Sequence, residues 1–296
     1  MLARAGHKVT LIGREAHMQV VANHGLQLDL ANSSRIENIR LETSTNISAV
    51  KDADLILFCV KSTDSEVVAR DIAAHLLPQA VVVSLQNGVE NSMQISRHIK
   101  NAVIPAVVYV ATEITAPGYV KHHGRGDLVI GAMSPPRLNH PHQTLADIVE
   151  LFESAQVGVR ISDNVMVELW SKLMVNCAFN AISGLSQLSY GNLALLDSIR
   201  ATQATVVIEV IAVAKADGVV LSEPEALQTV ANIAMAMPGQ KSSTAQDMAR
   251  RKTSEIDHLN GFIVRRGLAH GIATPANQAL YALVKLVESS YAESVL

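Results

Sequence analysis

Lys172, Asn176 and Asn180 stand four residues apart in the segment Trp170-Ser-Lys-Leu-Met-Val-Asn-Cys-Ala-Phe-Asn180. At roughly 100° per residue they form one narrow polar stripe on a helix. Leu169, Trp170, Leu173, Met174 and Cys177 border it. An amine and two carboxamides among so many apolar side chains are costly to bury unless paired, and that cost points to a site. A lysine can donate a proton, and its pKa falls on desolvation. An asparagine amide can hold a hydroxyl or a carbonyl. The set suits reduction of a polar carbonyl compound: negative charge builds on the ketone oxygen, and a nearby ammonium stabilises it and supplies the proton. On spacing alone, Lys172 reads equally as a surface lysine lying along apolar neighbours. Asn176 and Asn180 read as well as partners of backbone groups at a helix contact.

Two kinds of element are expected to position these residues. In the first half, short β-like runs alternate with helical patterns. Lys8–Ile12, Asp54–Val60 and Ala80–Leu85 read as strands, with helices near 15–22 and 63–77. The continuous apolar runs suit strands buried on both faces, and the rhythm predicts βαβ units in a parallel sheet. Further strands are expected at Ala106–Thr112, Tyr119–His122 and Asp127–Ile130, with a turn at Pro117-Gly118. From about Val165 the pattern becomes helical: 165–188, 193–217, 223–236, 242–270 and 275–291. Gly218 and Gly271 read as stops, Pro224 and Pro275 as starts. The expected fold class is therefore α/β, a Rossmann-like N-terminal domain over 1–163 followed by an all-α domain over 164–296. In such a protein the cleft between domains is the default site.

Composition narrows the function further. The 296 residues are 49% hydrophobic, with a net charge of −3 and no basic stretch. Small-molecule chemistry is thus favoured over nucleic acid. No apolar run reaches the roughly 18 residues of a membrane span. Cys59 and Cys177 lie far apart in apolar segments; they read as two buried, reduced thiols, consistent with a reducing cytoplasm. Apolar faces in the second half serve equally as core or as the contact surface of a homodimer.

A dinucleotide-binding domain normally opens with a strand, then G-x-G-x-x-G, then a helix. No such motif occurs here, and Leu2-Ala-Arg-Ala-Gly6-His7 reads as the end of that first helix. Lys8–Ile12 would then be the second strand, and a truncated or mis-started chain is expected, with a gap in its sheet and no helix N-terminus for the pyrophosphate. Arg14, just past this strand, suits a 2′-phosphate and so favours NADP over NAD; it reads equally as an ordinary exposed charge.

Together these residues resemble the ketopantoate reductase (2-dehydropantoate 2-reductase) family over essentially the whole chain. The matching pieces are Ala5–Arg14, Val60-Lys61, Gln86-Asn87-Gly88, Pro117–His122 with Gly124 and Gly126, Trp170–Asn176 with Asn180, Ser242-Ser243 with Gln246-Asp247, and Glu255–Gly261. The resemblance implies NADPH-dependent reduction of ketopantoate to pantoate, on the route to pantothenate and coenzyme A. It implies Lys172 as general acid, with Asn176 and Asn180 on the substrate's hydroxyl end and Ser243 on its carboxylate. Glu255 would lie by the nicotinamide and Asn87 would touch both nicotinamide and substrate. Lys61 and Ala111 would line the cofactor, and Arg14 would take the 2′-phosphate. The chain departs from the pattern in its missing glycine-rich turn. It also has Tyr190, with Asn192 two residues on, where another substrate-side Asn is expected.

Plainer readings stand beside these. Ser242, Ser243 and Thr244 suit a helix N-cap with Gln246 at the capping-box position. That role is compatible with binding a carboxylate. Glu255 reads as a solvated helix carboxylate opening the rhythm Ile256, Leu259, Ile263. Asn87-Gly88 reads as a turn. His122-His123 and His140-Pro-His142 lack a metal spacing and read as loop residues. No Gly-x-Ser-x-Gly elbow suggests a serine hydrolase. The rival functions are reduction of another 2-keto or 3-hydroxy acid on the same scaffold, and a truncated, non-catalytic relative that folds partly or only binds a ligand or partner.

Overall fold

A computed structural model describes residues 1–31, 33–133 and 141–291. The chain divides into two compact units: Met1–Gln86 with Glu90–Val165, and Asn87–Val89 with Met166–Leu296.

The first unit runs β1 (Thr10–Ile12), α1 (Glu15–His24), β2 (Leu26–Leu30), β3 (Ile36–Ile39), β4 (Glu42–Ser44), β5 (Leu55–Phe58), α2 (Ser65–Ala73), β6 (Val81–Ser84), α3 (Asn91–His98), β7 (Ala102–Ala116), β8 (Tyr119–Ile130), α4 (Pro141–Ser154) and β9 (Val159–Ile161). The seven-stranded sheet has the order β3-β2-β8-β7-β6-β5, with β9 beside β8. β5, β6 and β7 are parallel, as their apolar runs and crossover helices require. β7 and β8 form a long antiparallel hairpin turned at Gly118, whose φ of 73° suits glycine. β1 and β4 pair in parallel as a separate two-stranded sheet. One core (Phe58, Ile72, Val82, Ile95) lies under α2 and α3; a second (Val83, Ile104, Ile130) packs on Leu145, Ile148 and Phe152 of α4.

The second unit is helical: α5 (Val165–Ser186), α6 (Tyr190–Ala194), α7 (Asp197–Ala216), α8 (Glu223–Ala236), α9 (Ser243–Ala249), α10 (Asn260–His270) and α11 (Pro275–Ser289). Its interior holds the Trp170–Phe262 ring pair at 5.6 Å and Phe179–Tyr190 at 4.4 Å. Burying a side chain such as Phe179 contributes on the order of 2 kcal/mol. Pro275 occupies the first turn of α11, where the N–H groups of Ala276 and Asn277 donate to the buried Glu209 carboxylate at 2.8 and 2.9 Å. This places a negative charge at the positive end of the helix. Gly271 ends α10 in the left-handed region, as its place in the sequence predicts.

Several elements differ from expectation. The strands expected at 106–112, 119–122 and 127–130 are parts of two continuous strands, bulged between Val110 and Thr112. Instead of one helix over 193–217 there are two, α6 and α7. The helix expected over 242–270 is broken. Arg251 turns to φ 52° and Lys252 N–H bonds back to Asp247 O at 2.9 Å, closing α9. Only a 3₁₀ turn, Ile256–His258, separates that end from α10. The segment read as the tail of an α-helix is a 3₁₀ turn, Leu2–Ala5. Cys177 is buried, but Cys59 is exposed just beyond β5.

Candidate active site

Helix α5 supplies the polar stripe. Lys172 and Asn176 are half-buried and Asn180 is buried, while Trp170, Leu173, Met174 and Cys177 fill the core beside them. Lys172 Nζ donates to Asn87 Oδ1 at 3.0 Å, and Asn87 Nδ2 donates to Glu255 Oε2 at 3.3 Å. One carboxamide therefore bridges an ammonium and a carboxylate. Its orientation follows from charge: the carbonyl oxygen must face the cation and the NH₂ the anion. The second unit contains this trio, because Asn87–Val89 belongs to it. Glu255 stands on neither flanking helix but at the start of the 3₁₀ turn, with φ −91° and ψ 23°. Its reading as a residue within a helix is therefore corrected.

The lower part of the stripe meets α9. Ser242, not Ser243, is the N-cap: its Oγ accepts from Ala245 N–H at 3.0 Å. This places Gln246 one position beyond the capping box, correcting that reading. The cap is fastened to α5, since Ser242 Oγ donates to Asn180 O at 3.2 Å and Ser242 N–H to Ser183 Oγ at 3.3 Å. Gly184 admits the approach; a Cβ there would lie 2.8 Å from Met248 Sδ and 2.9 Å from Thr244 Cγ2. Ser243 is thereby released from capping and exposed in the first turn of α9. Among the described residues, no side-chain hydrogen bond is made by Asn176, Asn180 or Ser243. Three groups able to bind a polar ligand thus share one stretch of the helical unit.

Tyr190 takes no part in such a set. Its ring is buried against Phe179, and burial pushes its phenol up to about 12. Asn192 is exposed on α6.

Of the cofactor candidates, Asn87 and Glu255 belong to the second unit, and Arg14, Lys61 and Ala111 lie in the first. Arg14 is exposed at the N-terminus of α1, just past β1. Its guanidinium makes no hydrogen bond or ion pair among the described residues. Lys61 is exposed just past β5, and Ala111 sits in the β7 bulge. Arg14 and Lys61 each follow the carboxyl end of a parallel strand, where open α/β sheets bind nucleotides. These donors fit an anionic cofactor at its phosphate end. His122 Nε2 meets Arg125 O at 2.8 Å and His123 faces Glu113 at 3.6 Å; His140 lies outside the described residues. Among the described residues, no helix is long and apolar enough to cross a membrane.

The bond joining Asn87 to Glu255 was not anticipated. Its members lie 168 residues apart, and no local pattern records such a contact. The role of Ser242 could have been found, since it is the first of the Ser-Ser-Thr run.

Known proteins match the chain over both units. Residues 1–135 match the family model "Ketopantoate reductase PanE/ApbA" and residues 164–288 match "Ketopantoate reductase PanE/ApbA C terminal". A 2-dehydropantoate 2-reductase of Vibrio cholerae is 30% identical, covering 99% of this chain and 94% of its own. The crystal structure of a PanE/ApbA family ketopantoate reductase from Ralstonia eutropha JMP134 is 48% identical with a TM-score of 0.90, covering 98% of this chain and 93% of that one. D-mandelate dehydrogenase, in its ternary structure with NADH and anilino(oxo)acetate, shares the fold at 24% identity and a TM-score of 0.90, covering 98% and 94%. From its α/β half to its helical half, this chain belongs to the ketopantoate reductase family of oxidoreductases.

Proposed function

We propose that the chain reduces ketopantoate to pantoate with NADPH. The observation that carries this reading is the Asn87 amide held between Lys172 and Glu255. NADPH, when bound, supplies the hydride. Lys172 stabilises the alkoxide that forms at the ketone carbon's oxygen and gives it the proton, completing the alcohol. Asn87 orients the ammonium, and Glu255 holds Asn87 in the required flip. Asn176 and Asn180 take the substrate's hydroxyl end, and Ser243 its carboxylate, aided by the first turn of α9. Arg14 meets the 2′-phosphate, while Lys61 and Ala111 border the cofactor. A homodimer in the cytoplasm is the accompanying expectation; exposed Leu283, Leu286 and Val287 on α11 suit such a contact.

The test is NADPH oxidation by the purified chain with and without ketopantoate. Turnover that requires ketopantoate supports the reading; cofactor binding without turnover refutes it. A second reading, reduction of a different 2-keto acid, is favoured by Tyr190. A buried ring stands where a substrate-side Asn is expected. Rates with aliphatic and aryl 2-keto acids side by side separate the two.

A further inference from the structure

Glu255 sits on the connection between α9 and α10, where the chain has left helical geometry. A carboxylate on such a connection would ordinarily sample many positions. Here α11 grips the chain on both sides of it. On the N-terminal side, the buried Glu288 accepts two bonds from Ser254, from the backbone N–H at 2.8 Å and from Oγ at 2.6 Å. On the C-terminal side, Asp257 accepts from Tyr281 Oη at 2.7 Å and from Lys285 Nζ at 2.8 Å. Lys285 Nζ also lies 3.4 Å from Glu288 Oε2, so one cation joins the two grips.

The spacing of Tyr281, Lys285 and Glu288 puts all three on one face of α11. Arg265 adds a bond from Nη1 to Asp257 O at 2.8 Å. Gly261 permits the approach, since a Cβ there would lie 2.8 Å from Tyr281 Cε2. Between the grips, Ile256 is fully buried with Ala181 of α5, Met248 of α9 and Val284 of α11. The residues on either side of Glu255 are therefore fixed by charge-assisted bonds and by an apolar anchor. Glu255 itself is left facing Asn87.

We propose that α11 is the positioning element of the reducing centre: Asp257, Lys285 and Glu288 fix the backbone around Glu255 so that its carboxylate meets the Asn87 amide. This rests on the proposed roles of Lys172, Asn87 and Glu255. Asp257, Lys285 and Glu288 touch neither substrate nor cofactor in this account and act through Glu255.

The experiment pairs amide hydrogen exchange of the 253–259 segment with steady-state kinetics on the full chain. The variants are Asp257→Asn, Lys285→Met, Lys285→Arg and Glu288→Gln. Glu288→Gln replaces the charged acceptor of Ser254 by a weaker, neutral one, loosening the same segment, and covers the case in which Asp257→Asn does not fold. In Asp257→Asn and Lys285→Met, exchange over 254–258 rises about tenfold with the rest of the unit unchanged. The same variants lower kcat about tenfold or more with little change in KM. Lys285→Arg restores most of the rate. Adding Asp257→Asn to Glu255→Ala causes no further loss. Unchanged exchange over this segment overturns the proposal, and so does a full additional loss in the Glu255→Ala background. If the unmodified chain reduces no 2-keto acid, the reading of the reducing centre fails, and the exchange measurement alone still decides whether α11 holds Glu255.

Discussion

In the helical unit, Lys172, Asn87 and Glu255 are half-buried and bonded to one another, whereas Arg14 and Lys61 in the α/β unit stand exposed beyond the ends of β1 and β5. The difference matches the two tasks proposed for them. Proton delivery needs a donor fixed to within a fraction of an ångström, so its partners are side chains locked by packing. Recognition of a phosphate needs charge and reach, which an exposed guanidinium supplies. The first arrangement is screened by salt much less than the second, whose interactions fade beyond about 8–10 Å at ordinary ionic strength.

The sharpest way to break this comparison is Lys172→Ala. Turnover should fall about 10²–10⁴-fold, with the melting temperature barely moved. Retained activity in that variant would remove the chemistry from the helical unit altogether. Next in size is Arg14→Ala. The KM for NADPH should rise between tenfold and a hundredfold, about the worth of a charge-assisted bond, with NADH turnover unaffected. Added salt should erode the wild-type preference in the same direction. An equal loss with both cofactors would mean that Arg14 does not read the 2′-phosphate.

Ser243→Ala is expected to raise the KM for the keto acid about fivefold, the worth of about 1 kcal/mol, with kcat near its original value. A fall in kcat alone would assign Ser243 to α9 folding instead. The smallest effect concerns Asp217, at the end of α7, which bonds Arg266 and, at 2.7 Å, His270 Nε2. Burial pushes its carboxyl up, but the Arg266 and His270 bonds outweigh that and hold it below the usual range. A lowered carboxylate pKa contributes stability that is present above its unfolded value, about 4, and is lost as pH falls through the lowered folded value. Asp217→Asn should therefore cost about 1 kcal/mol at neutral pH and nothing in strong acid. Thermal melts across that range check the sign.

Much of the second unit was legible because helical periodicity persists over long segments. The Lys172–Asn176–Asn180 stripe is visible as polar positions in an apolar repeat, and Pro275 and Gly271 mark their helix ends. The misread helix over 242–270 shows the limit. Ile256, Leu259 and Ile263 keep a helical rhythm, but the Ser254 amide is bonded to Glu288, 34 residues away, and local rhythm contains no trace of that bond. In the first unit, β5 and β6 were readable as apolar runs. The alternation of β2, Leu-Gln-Leu-Asp-Leu, is too short to stand out, and β3, Ile-Glu-Asn-Ile, does not alternate at all. Strand β4 exists through its pairing with β1, a tertiary contact.

β5 is the last strand of its sheet, and its sequence is Leu-Ile-Leu-Phe. Among the described residues its outer backbone groups meet no other strand. Edge strands are ordinarily protected from their own kind by shortness, a lysine, a proline or a bulge, and Leu55–Phe58, four residues long, has the first of these alone. The consequence is colloidal: the shortness of β5 is what keeps one copy's edge from adding to another's, and lengthening the strand by two apolar residues should lower the concentration at which the protein scatters light.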